Sequence, residues 1–265
     1  MKSSFPSVVI FSSGFALIAF FLIPILSLAA RTPFGKFWPI LISPGVSSAI
    51  KLSLLTTSIS TFLAVALGTP LAYYLARRKI MGKGLLDTLI DLPMVLPPAV
   101  AGVALLMAFG RTGILGGFLD RWGVSLAFNQ AAVIMAQVFV ASPLYVRAAK
   151  NGFEAINPEL EKVSQTLGVG PWRTFLRVTV PLSLPSLLGG AMATWARALG
   201  EFGATLLFAG NFMGKTRTMP LAIMTAMEID FDAAIVLSLF MVVVSFILLS
   251  MVRLAVRRNW ENVGA

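Results

Sequence analysis

KNGFEAINPELEKVSQTLGVGPWRTFLRVTVPL, residues 150–182, is a polar island between two strongly apolar parts of the chain. Asn157 is a favourable N-cap residue, and Pro158 suits the first position of a helix. Gly168 is a natural stop, because glycine adopts left-handed backbone conformations without a steric penalty. The polar island therefore predicts an ordered helix over residues 158–167.

A second helical piece is expected over residues 172–178, because Gly170-Pro171 breaks the chain just before it. The polar island then consists of a helix, a turn and a helix. Glu159 and Glu161 lie at the N-terminal end of the first helix, where the helix dipole favours negative charge. The same helix has one apolar-leaning face at helical spacing, made of Leu160, Val163, Ser164 and Leu167.

The composition around the polar island is that of a polytopic membrane protein. Of the 265 residues 57% are hydrophobic, and the mean hydropathy is +0.88, so a soluble domain would expose far too much apolar surface. Six segments are long enough to cross a bilayer, at residues 8–30, 50–76, 90–110, 130–149, 183–210 and 232–253. An ordered polar helix between two such spans indicates that a soluble partner grips the chain there.

The distribution of basic residues predicts the orientation of the spans. With the N-terminus inside, seven Lys and Arg residues fall in outer segments and thirteen in inner ones, among them Lys2, Lys79, Arg253, Arg257 and Arg258. This asymmetry predicts that both termini and the polar island lie in the cytoplasm. The net charge of +10 is thereby explained by topology and does not indicate a nucleic-acid partner.

The chain contains no Cys and no His. This excludes disulfides, thiol nucleophiles, His-based metal sites and imidazole acid–base chemistry. We expect no cofactor and no bound metal. Three parts are predicted: an N-terminal transmembrane helix and outer loop over 1–47, a membrane domain over 48–252, and a short cytoplasmic tail over 253–265.

Helix breakers interrupt two of the predicted spans. Gly68-Thr69-Pro70 lies in the second span, and Asp91-Leu92-Pro93 and Leu96-Pro97-Pro98 lie in the third. Backbone groups freed by a break need partners in a membrane, so a break is tolerated only against protein or a water-filled cavity. Two interpretations remain open: kinks that shape packing, and hinges beside a transport pathway.

The fifth predicted span carries a charge pair. Arg197 and Glu201 are four residues apart and therefore stack on one face of a helix. Ala196, Gly200 and Ala204 form a parallel line of small residues that lets another helix approach closely. Arg197 is expected near mid-membrane, where charges are costly and often functional. A structural salt bridge and a transport-linked pair are both compatible with this pattern.

The polar island resembles the signature loop of permease subunits in binding-protein-dependent ABC importers. That loop reads EAA, three residues, Gly, nine residues, Ile, any residue, Leu-Pro, and here Gly168, Val178 and Val180-Pro181 keep the register. Lys162-Val163-Ser164 departs from the EAA triplet, and Glu161 lies one position early. In the family the loop docks into a groove of a cytoplasmic ATPase. The resemblance assigns that role to Pro158, Glu159, Leu160, Glu161, Lys162, Val163, Ser164, Leu167, Gly168 and Pro181.

Four segments are similar to the oxyanion branch of these permeases, which carries molybdate, tungstate, and sulfate or thiosulfate. They follow the same order: DLPMVLPPAVAG at 91–102, TLGVGPWRT at 166–174, RALGEFGA at 197–204 and GKTRTMP at 214–220. We expect the pathway or gate to be formed by Asp91, Pro93, Pro97, Pro98, Arg197, Glu201, Phe202 and Gly203. Lys215 and Arg217 would give the outer rim a positive potential that favours a dianion or an acidic partner, unless they belong to an ordinary solvated loop.

These features predict an all-α integral membrane protein with six transmembrane helices, both termini cytoplasmic, and the type I ABC importer permease fold. The resemblance implies a homodimer in the cell membrane, two ATPase subunits, an external oxyanion-binding protein, and molybdate or tungstate as cargo, with sulfate or thiosulfate as the alternative. The chain has no GxxxxGK[ST] phosphate loop, so it cannot hydrolyse ATP itself, and we expect a translocation subunit rather than an enzyme. Two other classes stay open: an ion-coupled carrier, and a membrane-embedded enzyme for which Asp87 and Asp91 are the nearest acids.

Overall fold

Helices make up every regular element in the part of the chain that the computed structural model describes, residues 5–78 and 80–263. The all-α prediction is confirmed. Lys2 and Lys79 lie outside the described residues, as do the side chains of Arg253, Arg257 and Arg258 and the last two residues of the predicted tail. The helices are α1 Phe5–Ala30, α2 Phe34–Ile42, α3 Pro44–Arg77, α4 Lys83–Val95, α5 Pro98–Phe109, α6 Gly116–Asp120, α7 Gln130–Glu154, α8 Pro158–Thr166, α9 Pro171–Thr174, α10 Val180–Leu199, α11 Gly203–Ala209, α12 Met219–Ile229 and α13 Phe231–Val263.

Within the described part of the chain, five helical runs are long and apolar enough to cross a membrane: Val9–Ala30, Pro44–Arg77, Gln130–Glu154, Pro171–Leu199 and Phe231–Met251. A sixth span exists only if α4 and α5 are taken together, and these helices are bent by 113° at the break between them. The predicted third span, 90–110, is therefore two helices at a steep angle. Leu96 is extended at the break (φ −61°, ψ 134°) because the ring of Pro97 disfavours helical backbone in the residue before it.

The segment 31–47, which was expected to be a loop, is largely helical. It contains α2 and the first turn of α3, where Pro44 occupies a favourable initial position. Lys36 Nζ of α2 donates to Asp232 Oδ2 at the start of α13, 2.6 Å away. This hydrogen bond raises the pKa of Lys36. The pair therefore stabilises the protein at pH values below the usual lysine pKa, and this stabilisation is lost as the pH rises through the raised pKa of Lys36. Its contribution is small because both side chains are exposed to solvent.

The break predicted at Gly68-Thr69-Pro70 does not occur, because α3 runs through these residues without interruption. Pro70 has no backbone N–H, so one helical hydrogen bond is lost there. The hydroxyl of Thr69 donates to Val65 O at 2.7 Å and lies 2.6 Å from the hydroxyl of Tyr145 on α7. Polar side chains thus brace the helix beside the proline and join it to its neighbour.

α7 is the central helix and packs against both α3 and α10. Asn129 caps its first turn, since Asn129 Oδ1 accepts the N–H of Ala132 at 3.0 Å. Tyr145 and Phe153 of α7 are fully buried in the core that the three helices share. The approach of α10 is close: a Cβ atom at Gly190 would lie 2.7 Å from Ala148 Cβ. These contacts hold the two spans that flank the polar island in one rigid unit.

Gly190→Ala is expected to lower the free energy of unfolding by about 1–3 kcal/mol, because the added methyl group has no room against α7. Gly189→Ala is the matched control, since nothing lies within 4 Å of a Cβ atom at that position. Alanine there should be neutral or stabilising by up to about 1 kcal/mol. Thermal unfolding in detergent measures both variants, and equal midpoints would contradict the packing of α10 on α7.

Candidate functional site

The first part of the polar island folds as the sequence predicts. Asn157 Oδ1 caps α8 by accepting the N–H of Glu159 at 3.0 Å. Gly168 has φ +82°, in the left-handed region, and its N–H donates to Gln165 O at 3.0 Å. The N–H of Val169 donates to Ser164 O at 3.2 Å, which completes a Schellman C-cap. α8 is thus a short helix with both ends capped by its own residues.

α8 presents an apolar face outward. The exposed fractions of Leu160, Val163 and Leu167 are 47%, 55% and 78%. Ser164, which was assigned to this face, instead lies on the inner side, where its hydroxyl is 3.0 Å from that of Thr174 on α9. The exposed apolar surface is therefore narrower than predicted, and it faces away from the rest of the chain.

Glu161 on the inner side of α8 is buried, and its carboxylate is held by three side chains from two other parts of the chain. Arg77 at the end of α3 donates to Oε1 through Nη2 at 2.8 Å and through Nε at 3.1 Å. Thr179 donates to Oε1 at 2.8 Å, and Tyr73 donates to Oε2 at 3.3 Å. Arg77 Nη1 also reaches Ile156 O at 3.4 Å. A buried acid requires such partners, but Arg77, Tyr73 and Thr179 are not recognisable as partners of Glu161 from the sequence.

The second helical piece of the polar island is not a separate helix. α9 continues through a π-helical turn, Phe175–Thr179, directly into α10. Pro181 lies in the first turn of α10 and cannot donate a helical hydrogen bond, and the wider π turn stands just before it. Pro181, which was predicted to contact the ATPase together with α8, therefore belongs to the membrane-spanning run Pro171–Leu199.

Two breaks in the membrane-spanning part meet at one place. The break after α4 leads to Pro98, and the break after α10 leads to Gly203. A Cβ atom at Gly203 would lie 2.5 Å from Pro98 Cβ, so only glycine allows α11 to approach α5 this closely. The structure thus brings together Pro97, Pro98, Phe202 and Gly203 of the predicted gate. Pro93 does not contribute a break, because it lies inside α4.

Arg197 and Glu201 form the predicted ion pair, with Nη1 and Oε2 2.7 Å apart, but not within one helix. α10 ends at Leu199, and Glu201 lies in the break before α11. The exposed fraction of the Glu201 side chain is 1%, and its Oε1 accepts the N–H of Ala204 at 2.9 Å. Glu201 therefore caps α11 while it neutralises Arg197.

The position of the pair near a helix end corrects one further expectation. Arg197 is two residues from the end of α10, and Glu201 lies beyond that end. The line of small residues is also divided, since Gly200 follows the end of α10 and Ala204 belongs to α11.

Asp91 of the predicted gate belongs to a ladder of ion pairs between α4 and α7. Its carboxylate is 3.4 Å from Arg147, and the parallel pairs Asp87–Lys150 and Lys83–Glu154 measure 2.7 and 3.1 Å. No residue of α4, all of which is described, is buried. Exposed ion pairs stabilise by only about 0.2–1 kcal/mol each, so α4 is held less firmly than the helices of the core.

The two basic residues of the predicted outer rim differ in their surroundings. Lys215 is exposed to solvent. Arg217 is partly buried, and its Nε donates to Asn211 Oδ1 at 2.8 Å within the same loop. Arg217 therefore braces the loop between α11 and α12, and Lys215 alone presents a free charge to the surroundings.

Glu161→Gln is expected to destabilise the protein by roughly 1.5–3 kcal/mol, because hydrogen bonds to a charged group are lost and Arg77 keeps its charge. Glu159→Gln on the same helix is the matched control: the Glu159 side chain is 63% exposed and, among the residues described, its carboxylate pairs only with Lys162, at 2.7 Å. A surface change of this kind should stay within about 0.5 kcal/mol. Chemical unfolding in detergent gives both values, and a Glu161→Gln variant as stable as Glu159→Gln would refute the buried network.

Comparison with known proteins agrees with this architecture. The model of the family described as binding-protein-dependent transport system inner membrane component matches residues 68–261. The molybdenum transport system permease protein ModB of Mycobacterium tuberculosis is 44% identical over 228 residues, 86% of each chain. The sulfate transport system permease protein CysT of Escherichia coli is 32% identical over 221 residues, 83% of this chain and 80% of the relative.

A solved structure supports the fold independently. A chain from the crystal structure of a bacterial ABC transporter that imports the acidic polysaccharide alginate superimposes with a TM-score of 0.74, at 19% identity and 96% coverage of both chains. This confirms the predicted type I importer architecture. The chain therefore belongs to the family of binding-protein-dependent transport system inner membrane components, and it is a transport subunit of an ABC importer rather than an enzyme.

Proposed function

We propose that this chain forms the translocation pathway of an ATP-driven importer of molybdate or the similar dianion tungstate. The observation that carries the proposal is the 44% identity, over most of the chain, with permeases of molybdenum transport systems. Sulfate or thiosulfate is the second candidate, supported by the lower identity of 32% with a sulfate permease. Family membership removes the ion-coupled carrier and the membrane-embedded enzyme from consideration.

The proposed contact with the ATPase is the outer face of α8. Leu160, Val163 and Leu167 are exposed there. Contact between an apolar patch and water is unfavourable, so such a patch on a short polar helix indicates a surface that a partner covers. The exposed charges of Glu159 and Lys162 lie beside the patch and would form its polar rim. Pro158 and Gly168 fix the two ends of the helix, so the patch is presented in one orientation.

The buried network around Glu161 would transmit movement from the ATPase to the pathway. It ties α8 to the end of α3 and to the π turn that leads into α10. α10 carries Arg197 in its last turn and ends at the break that holds Glu201 and Phe202. A displacement of α8 would therefore move a continuous helical run whose other end lies at the proposed gate. Rigid-body motion of this kind is a common way to alternate access.

The proposed pathway runs beside the junction of α5 and α11 and needs two copies of the chain. Phe202 is exposed at the junction, and Arg197 is partly exposed but neutralised by Glu201. An arginine neutralised in this way would hold an anion only weakly, which suits a pathway that must release its cargo. We propose a homodimer with two ATPase subunits on the cytoplasmic side, where both termini would lie, and a binding protein that delivers the anion outside.

The test uses the complete importer, with its ATPase and binding protein, reconstituted in proteoliposomes. We expect ATP-dependent uptake of labelled molybdate. An excess of tungstate should inhibit this uptake, whereas the same concentration of sulfate should not. Val163→Asp should reduce uptake and ATPase binding by at least about tenfold, because a charge placed in an apolar contact costs more than 1.4 kcal/mol.

Gln165→Asp is the control, because it adds the same charge at an exposed position of α8 about 200° around the helix from Val163. It should leave uptake and ATPase binding close to those of the parent. Normal uptake by Val163→Asp would overturn the assignment of α8. Sulfate uptake that molybdate does not inhibit would replace the first candidate cargo with the second.

A further inference from the structure

A large cavity opens between the basic end of α3 and the beginning of α9. It has a volume of about 800 Å³, within the range of about 300–1,000 Å³ typical of small-molecule sites. Most of its wall is apolar or aromatic, and its charged groups are confined to the end of α3. The residues that characterise it are Val65, Pro70, Tyr73, Tyr74, Arg78 and Trp172.

The net charge of this cavity comes from Arg78. Arg77 also lines the cavity, but its guanidinium is bound by the buried carboxylate of Glu161 at 2.8 Å. Arg78 is exposed and has no hydrogen-bond or ion-pair partner among the described residues. The site therefore offers one uncompensated positive charge next to a long apolar groove. Its ligand should be an amphiphile with a single negative charge near its head.

The aromatic residues indicate where this amphiphile comes from. Tyr74 is exposed, and Trp172, with an exposed fraction of 69%, stacks on Phe175 at 5.7 Å between ring centroids. Tyr and Trp are enriched at membrane–water interfaces, because their rings are apolar and carry one polar group. The cavity lies beside the end of the helical run Pro44–Arg77, which is long and apolar enough to cross a membrane. Phospholipid is the amphiphile that is always present where such a helix leaves a bilayer.

We propose that this cavity binds one anionic phospholipid of the phosphatidylglycerol type. Its phosphate would pair with Arg78, and an acyl chain would lie along the groove between α3 and α9, against Val65 and Pro70. Basic pockets at the ends of transmembrane helices recognise acidic headgroups in this way. The bound lipid would contact the same stretch of α3 that carries Arg77, and so would adjoin the network that holds α8.

The test places the assembled importer in lipid nanodiscs that contain phosphatidylcholine and phosphatidylglycerol, with bromine on the acyl chains of one lipid or the other. Bromine quenches nearby tryptophan, and the contribution of Trp172 is the difference between the parent and Trp172→Phe. We expect brominated phosphatidylglycerol to quench Trp172 about five times more effectively than brominated phosphatidylcholine at equal fractions, since one basic residue supplies about that preference.

Arg78→Gln should remove this preference, whereas Arg177→Gln, an exposed arginine outside the cavity, should keep it. Native mass spectrometry gives a second measurement: one acidic phospholipid per chain in the parent and none in Arg78→Gln. Equal quenching by both lipids in the parent would overturn the proposal, because it would mean unselective annular lipid. Absence of quenching would also overturn it, because the ATPase or a second copy would then fill the cavity. A preference that survives Arg78→Gln would contradict the assigned role of Arg78.

Discussion

The buried carboxylate of Glu161 is the constraint on which the arrangement of the polar island depends. A charged group removed from water must be met by partners, and here they come from Arg77, Thr179 and Tyr73. The position of α8 is therefore restricted to one in which these three side chains can hydrogen-bond to the carboxylate of Glu161. The outward direction of Leu160, Val163 and Leu167 follows from that placement, because the opposite side of the helix is committed to Glu161.

The features of the site that the sequence predicted correctly are those determined by neighbouring residues. The N-cap at Asn157 and the stop at Gly168 depend on bonds within a few positions of each. The partners of Glu161 were not predicted because Arg77 is 84 positions away, and only the packing of α7 between α3 and α10 brings them together. The merger of the second helical piece with α10 was missed because a π turn has no clear signal in the sequence.

Proline alone did not reveal which spans are broken. Pro70 and Pro93 lie within continuous helices, whereas the chain bends at Leu96-Pro97. Beside Pro70 the hydroxyl of Thr69 hydrogen-bonds to the backbone of α3 and to the hydroxyl of Tyr145. The contact with Tyr145 could not be predicted from the local sequence, because Tyr145 belongs to another helix. The ladder between α4 and α7 likewise joins residues distant in sequence, so the ion pairs of Asp87 and Asp91 could not be predicted from neighbouring residues.

We propose that the network around Glu161 carries movement from α8 to the break at Phe202. Because the chain has no cysteine, spin labels can be attached at position 165 or position 202, and pulsed EPR then gives the distance between the two copies of the proposed dimer. In the parent importer ATP should change both distances. In Glu161→Gln ATP should still change the distance at position 165 and leave that at position 202 unaltered. An equal ATP-driven change at position 202 in parent and variant would show that the network around Glu161 does not carry the movement.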